Sequence, residues 1–419
     1  MINNKFLNII ILFYLLMIII ASFINFNSII KKKHILDGGV MLWYNQPSAV
    51  YYNDYLYYSY LGLDKNVKIG KFGKNINQFK AIFSYSKLDD HGAPSIWVIQ
   101  NGKEKGKIIS FYSWHSTEMY FSKSKQKENI DEWEDVRIFD DRRTTYNSIG
   151  ETSDGKIFVF YTVQSLNNRS YVYKVSTDGA NTWSDPKVLI DFGSEEYIYA
   201  APVLIEDKYI TISFTSYRSK EPNIGHKNIY LLRCDDFGNN WYQSNNIDKL
   251  VNLPLTKDKA IPIVETNLGR ENVIWDLKYD KNHQPVIAYV EHARFSNEGW
   301  DDNKANIITF DKNGNTKINF LSNISSFVYP SGIRINPNNI NNFLLGIEYK
   351  NKSKLISFNN NLEYPKNTFF DIFNYSNKYE MNPIYPINTN GKYVIYMDVN
   401  KYFKKDYDSK IVLIENGIF

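Results

Sequence analysis

One unit recurs along this chain: a short strand that often opens on proline, a polar turn, then a second apolar strand ending in an aromatic residue. Taking Pro47, Pro94, Asn147, Pro202, Asp276, Pro330 and Pro383 as equivalent gives steps of 47, 53, 55, 74, 54 and 53 residues. The second strands align on Tyr58, Tyr112, Tyr161, Phe214, Tyr289 and Tyr396, with Ile347 in the sixth unit. Clusters of Gly, Asn, Asp and Lys separate these runs, which is the strand-and-turn signal. Helical periodicity is almost absent after residue 44. A period near fifty residues is that of four-stranded propeller blades. The expected fold is therefore all-β, a seven-bladed β-propeller, with six or eight blades as neighbouring solutions. The step of 74 residues implies an insertion, expected near Asn245 to Arg270.

Composition narrows the function classes. Aromatic residues make up 16% of the 419, with 33 Tyr and 26 Phe. That favours strands and suits a carbohydrate partner, because sugar rings stack on aromatic faces. The net charge of +4, with no basic run inside the globular part, argues against nucleic acid. Cys234 is the single cysteine, so no internal disulfide forms. Phe6 to Phe26 is a nearly continuous apolar run long enough to span a bilayer, followed by Lys31, Lys32 and Lys33. Residues 1–35 are expected to be a signal sequence or uncleaved membrane anchor with a basic flank, and 36–419 the propeller. The protein would then work in the cell envelope or outside the cell, held at the membrane if the segment is uncleaved.

Two related turns stand in the third and fourth units, Ser176-Thr177-Asp178-Gly179-Ala180-Asn181-Thr182-Trp183 and Cys234-Asp235-Asp236-Phe237-Gly238-Asn239-Asn240-Trp241. Both resemble the Asp-box of sialidase-like propellers. The first has its glycine shifted one place, and the second carries Cys234 and Asn240 where the motif has Ser and Thr. The expected work of these turns is local: the Asp caps backbone N–H groups and the Trp packs between blades.

In a propeller, the loop into each first strand and the loop after each second strand open on one face, and the hairpins open on the other. His91 precedes the first strand of unit two, His115 lies three residues past Tyr112, and Tyr146 opens unit three. The same register adds Gln164, Tyr217 and His292, with Arg218 beside them and Trp275 opening unit five. One rim is thus expected to gather catalytic His91, His115 and Tyr146 with substrate-binding Arg143, Tyr217, Arg218, Trp275 and His292. His226 and His283 are expected to be solvated.

Histidine and tyrosine beside cationic side chains suit proton transfer next to a carboxylate. In β-elimination on a uronate, a base removes the C5 proton and an acid protonates the leaving glycosidic oxygen. The carboxylate must be neutralised for the C5 proton to leave. The Asp89-Asp90-His91-x-x-Pro94 segment, the Phe111-Tyr112-x-x-His115 strand end, the Thr145-Tyr146 opening and the following Asp-box resemble the BNR-repeat propellers that include ulvan lyases. The resemblance covers roughly residues 85 to 300. It implies a seven-bladed propeller, polysaccharide lyase activity and an active site at His91, His115 and Tyr146. Those lyases carry an arginine after the aromatic pair of the next second strand; here Phe160-Tyr161 is followed by Thr162, leaving Arg143, Arg169 or Arg218 to take its place. The expected function is a lyase of an acidic, uronate-containing polysaccharide or oligosaccharide. The alternatives are a non-catalytic, membrane-anchored glycan-binding propeller and a sialidase-type glycoside hydrolase. No cofactor is required by this chemistry; a structural metal ion fits the fold, though no ligand spacing identifies one.

Overall fold

The computed structural model describes residues 32–415 except for 74, 166–167, 195, 219–224, 245–249, 294–302, 325–331, 350–351, 360–367, 375–379, 390–391 and 401–407. The apolar run from Phe6 to Phe26 lies outside the described residues, as do Lys31, Asn245 and Pro330.

Strands pair in successive four-stranded antiparallel units. The first is Ala49–Tyr52, Tyr55–Gly62, Asn66–Gly73 and Ile76–Ser84. The second is Ser95–Val98, Ile108–Ser113, Thr117–Lys123 and the opening of the long strand Arg137–Glu151. The rest of that strand starts the third unit, with Ile157–Gln164, Arg169–Ser176 and Lys187–Ile190. The fourth is Glu196–Glu206, Tyr209–Arg218, Gly225–Cys234 and Tyr242–Gln243. The fifth runs from Arg270–Tyr279 to Thr316–Ile324 and the sixth from Ile333–Asn336 to Thr368–Asn374. Between Gln243 and Arg270 no strand occurs among the described residues, which is where the insertion was expected.

The last unit joins the first and last strands among the described residues. Glu380–Ile384, Tyr393–Asn400 and Asp408–Glu415 are completed by the N-terminal strand Lys32–Val40, which runs antiparallel from Lys32↔Glu415 to Gly38↔Lys410. That strand then passes to the first unit through Gly39↔Gly62 and Val40↔Leu61. Lys32 and Lys33, from the basic run Lys31 to Lys33, stand at the start of this strand.

The aligned aromatics explain why the units stack. Tyr58, Tyr112, Tyr161, Phe214, Tyr289 and Tyr396 are all buried in second strands and fill the layers within and between sheets. The Asp-box turns act as expected. Asp178 accepts from the backbone N–H of Asn181 and Thr182 and from the Thr182 hydroxyl, at 3.1, 3.0 and 2.6 Å, and Trp183 meets Phe111, Phe121 and Phe139 edge-on. In the second turn the Cys234 thiol stands in for the serine hydroxyl, accepting from Gly238 N–H at 3.0 Å. The first turn touches the hairpin between the first two strands of unit two, because Lys123 Nζ, paired with Glu104, donates to Gly179 O and Asn181 Oδ1. Asp-boxes and first hairpins therefore share one face.

Candidate active site

On the opposite edge the chain enters unit two through a single helical turn, Asp90–Gly92, capped by Asp89, whose carboxylate accepts from His91 N–H. The cap fixes the imidazole as well. His91 Nδ1 lies 2.5 Å from Asp89 Oδ1 and 3.2 Å from Asp90 Oδ1. Burial works against a charge on this ring. The hydrogen bonds to Asp89 and Asp90 and the nearby negative charges outweigh it, and the imidazole pKa rises to about 9. His91 is thus an imidazolium at neutral pH. The carboxylate oxygens of Asp89 and Asp90 and the His91 ring nitrogen lie within 4.8 Å of one another.

The other ring nitrogen, His91 Nε2, lies 3.1 Å from Tyr146 Oη. Tyr146 is where the ladder skips: Tyr161 pairs with Asn147 and Thr162 with Thr145, so Tyr146 is the extra residue of a bulge, with φ of +53°. A left-handed backbone at a bulky residue is strained, and a bulge re-aims the side chain it carries. Here the ring leaves the ladder and meets Tyr44 and Tyr199 at 4.8 and 5.4 Å. His115 sits in the tight turn between Ile108–Ser113 and Thr117–Lys123, exposed, with its ring 4.3 Å from that of His91. His91, His115 and Tyr146 line one cavity of about 240 Å³ with Leu42, Trp43, Tyr44 and Tyr199.

The floor of this cavity is the segment from the N-terminal strand into unit one, which sequence reasoning missed. Met41 to Asn45 are all buried. Asn45 Nδ2 donates to Ala93 O at 2.5 Å and to His91 O at 3.3 Å, while Asn45 Oδ1 accepts from Asn147 N–H at 3.0 Å. One amide thus spaces the His91 turn from the Tyr146 bulge. Its partners lie 46 to 102 residues away, so no local signal marks it.

The remaining predicted residues fare differently. Arg143 is exposed on the strand that leads to Tyr146. Tyr217 is half-buried, 5.8 Å from Tyr199 ring to ring, and Arg218 pairs with Glu196 at 2.9 Å beside Lys257. Two were misplaced. His292 has the same offset from its aromatic as His115, but its strand Pro285–Ala293 continues where Ile108–Ser113 turns. It therefore stays in the ladder opposite Glu271, is 1% exposed, and burial pushes its pKa down to about 3. It offers no positive charge to a ligand. Trp275 lies mid-strand, since its strand starts at Arg270; it is buried at 1% exposure with its ring 5.0 Å from Trp43. It supports the cavity from below. His226, expected in solvent, is also buried, against Tyr199 and Tyr217.

Of the cations expected near the site, only Arg169 reaches Tyr146. Thr162 is buried and donates its hydroxyl to Thr145 O. The Arg169 guanidinium enters from the next strand, 4% exposed, with its carbon 5.3, 5.3 and 4.9 Å from the rings of Tyr146, Tyr197 and Tyr199. Nη2 donates to Gln164 Oε1, which also accepts from the hydroxyl of Ser116 beside His115. Nε and Nη1 are shut off from solvent and lie among the side chains of Tyr199 and Tyr146. Cation–π contact with a desolvated cation is worth about 2 kcal/mol or more, against several kcal/mol for burying the ion.

Comparison with known sequences gives a match to the model of the BNR repeat-containing family over residues 55–318. The chain belongs to this family. Within 266 residues it is 22% identical to an ulvan lyase of Nonlabens ulvanivorans, covering 53% of this chain and 54% of that one, so it spans about half the length of this curated relative. A solved ulvan lyase of polysaccharide lyase family PL25 superposes with a TM-score of 0.71 at 15% identity, over 92% of this chain and 96% of that one. A structure with the same coverage holds bound -[GlcA(1-4)Rha3S]-. The polysaccharide lyase Uly1 gives 0.64 at 12% identity, over 92% and 99%. The BNR-family chain shares their all-β, propeller-like fold.

Proposed function

We propose that this BNR-family protein is a lyase that cleaves a uronate-containing polysaccharide by β-elimination. The observation that carries the reading is a phenol re-aimed by a bulge onto an imidazolium, with a second, exposed imidazole 4.3 Å away, at one cavity. The similarity to an ulvan lyase supports it. In this reading His115 takes the C5 proton. The electron pair of the C–H bond becomes the C4=C5 double bond, and the C4–O bond breaks. Tyr146 gives its proton to the leaving oxygen, and His91 stabilises the phenolate that results. The positive charge of His91 also faces the sugar carboxylate and lowers the cost of removing its α-proton. The His115 proton returns to Tyr146 through solvent.

Two further parts of the reading rest on other observations. The strand units, closed by Lys32–Val40 on Asp408–Glu415, support seven blades. The apolar run 6–26 supports export or anchoring, and hence work in the cell envelope or outside the cell.

The test is a panel of acidic polysaccharides assayed for the ultraviolet absorbance of an unsaturated uronate. The expected result is a rise on at least one substrate, lowered by about 100-fold or more in both His115→Ala and Tyr146→Phe. A parent-like rate in both variants would overturn the site assignment. Saturable binding without any new unsaturation would move the protein to the glycan-binding reading.

A further inference from the structure

We propose that Arg169 is a positioning residue of this site, whose buried positive charge stabilises negative charge on the Tyr146 oxygen when the phenol gives up its proton. The proposal rests on reading Tyr146 as a proton-transfer group, and it adds a residue that acts only through that phenol.

Arg169 carries a buried charge with no anion beside it. Among the described residues no carboxylate pairs with Arg169, and its buried Nε and Nη1 have for neighbours the hydroxyl-bearing rings of Tyr199 and Tyr146. A buried cation without a counter-ion is costly, and polarisable rings answer it only in part. The charge persists all the same. Burial opposes it, but the facing Tyr199 and Tyr146 favour it more, and the guanidinium stays protonated. What the arrangement lacks is an anion, and the nearest group able to become one in the reaction is Tyr146. Substrate cannot reach Nε and Nη1 without displacing the tyrosines, so direct contact with a sugar carboxylate is not the role the burial supports.

Other groups around Tyr146 agree in sign. His91 faces its oxygen from the turn ahead of unit two, with Asp89 and Asp90 one layer behind. His115 lies beyond His91, Tyr44 packs from the floor segment, and Tyr199 from the first strand of unit four. The two cations therefore flank the phenol, one at its oxygen and one across its ring, and the two carboxylates are screened by the imidazolium between. Gln164 couples the guanidinium to the turn that carries His115.

The test is an ultraviolet titration of tyrosinate without substrate, in which parent minus Tyr146→Phe isolates the signal of Tyr146. In Arg169→Met that signal is expected at a pH higher by about one unit or more, while Arg169→Lys keeps most of the parent position. An unmoved signal in Arg169→Met overturns the proposal. Should Arg169→Met fail to fold, Arg169→Lys and Arg169→Gln are titrated against the same difference, and equal positions in both overturn it. On a substrate that turns over, Arg169→Met is expected to lower kcat with KM little changed; a raised KM with parent kcat would make Arg169 a substrate-binding residue instead. Because the titration uses no glycan, it decides this proposal even if no polysaccharide is cleaved.

Discussion

At the scale of single residues, the site is a set of charges held where they would not settle alone. His91 is protonated because Asp89 and Asp90 outweigh its burial, and His292 is neutral because burial, helped by the nearby charge of Arg270, outweighs its hydrogen bond to Asn303. The signs follow. The raised pKa of His91 contributes stability that is fully present below its ordinary 6.5 and is lost as pH rises through about 9. The depressed pKa of His292 contributes stability present above 6.5 that is lost as pH falls towards about 3. Asp89→Asn removes one of the two carboxylates that raise His91. In that variant the imidazolium is expected to lose its proton at lower pH, moving the alkaline limb of the kcat/KM profile towards neutrality. Its stability deficit against the parent, read from chemical denaturation, is expected to be largest below pH 6.5 and to shrink through pH 9. An alkaline limb that stays in place would separate His91 from the reaction. Because His91 and Tyr146 share a hydrogen bond, the limbs report the pair rather than either group.

At the scale of strands and turns, the bulge is the device that makes the site. The first strands of units three, four and five all slip register near the same aligned position, around Tyr146, between Ala200 and Val203, and at Trp275. Only at Tyr146 does the extra residue turn its side chain onto the imidazole. The sequence shows the period of the strands, because apolar alternation and aromatic ends are local, and the order of the loops then puts His91, His115 and Tyr146 on one edge. It does not show a bulge, which depends on how two strands pair, or Asn45, whose partners are distant in the chain. Nor does it show where a strand stops, which is what separates His115 from His292. The Asp-box turns were legible down to their hydrogen bonds, because every partner lies within four residues. Cys234 tests that locality. Cys234→Ser restores an oxygen acceptor for Gly238 N–H and is expected to change stability by about 0.5 kcal/mol or less, whereas Cys234→Ala leaves that donor without its acceptor at a cost of about 1–3 kcal/mol. Urea midpoints compare the two, and equal values would mean that the turn does not depend on this bond.

At the scale of the whole molecule, the N-terminal strand ties the pairing of the last unit with the first to the shape of the site. Lys32–Val40 pairs with the last strand along most of its length and with the first unit at its end, and the next residues, Met41 to Asn45, form the cavity floor. The junction is Gly39. A Cβ there would lie 2.6 Å from Tyr60 Cδ2 and 2.8 Å from Leu61 O, and the backbone oxygen cannot swing away as a flexible side chain would. Gly39→Ala must therefore push the strand off unit one, at an expected cost of about 1–3 kcal/mol. Hydrogen exchange is expected to show the loss first in Asp408–Glu415 and Tyr55–Gly62, the two strands that Lys32–Val40 joins, while the ladder between Ile157–Gln164 and Arg169–Ser176 stays protected. The floor shifts with the strand, so turnover should fall although Gly39 touches none of His91, His115 or Tyr146. If exchange rises uniformly and the rate per folded molecule is unchanged, this strand pairing and the proposed turnover are independent, and Asn45 alone, without the strand before it, is enough to hold the His91 turn against the Tyr146 bulge.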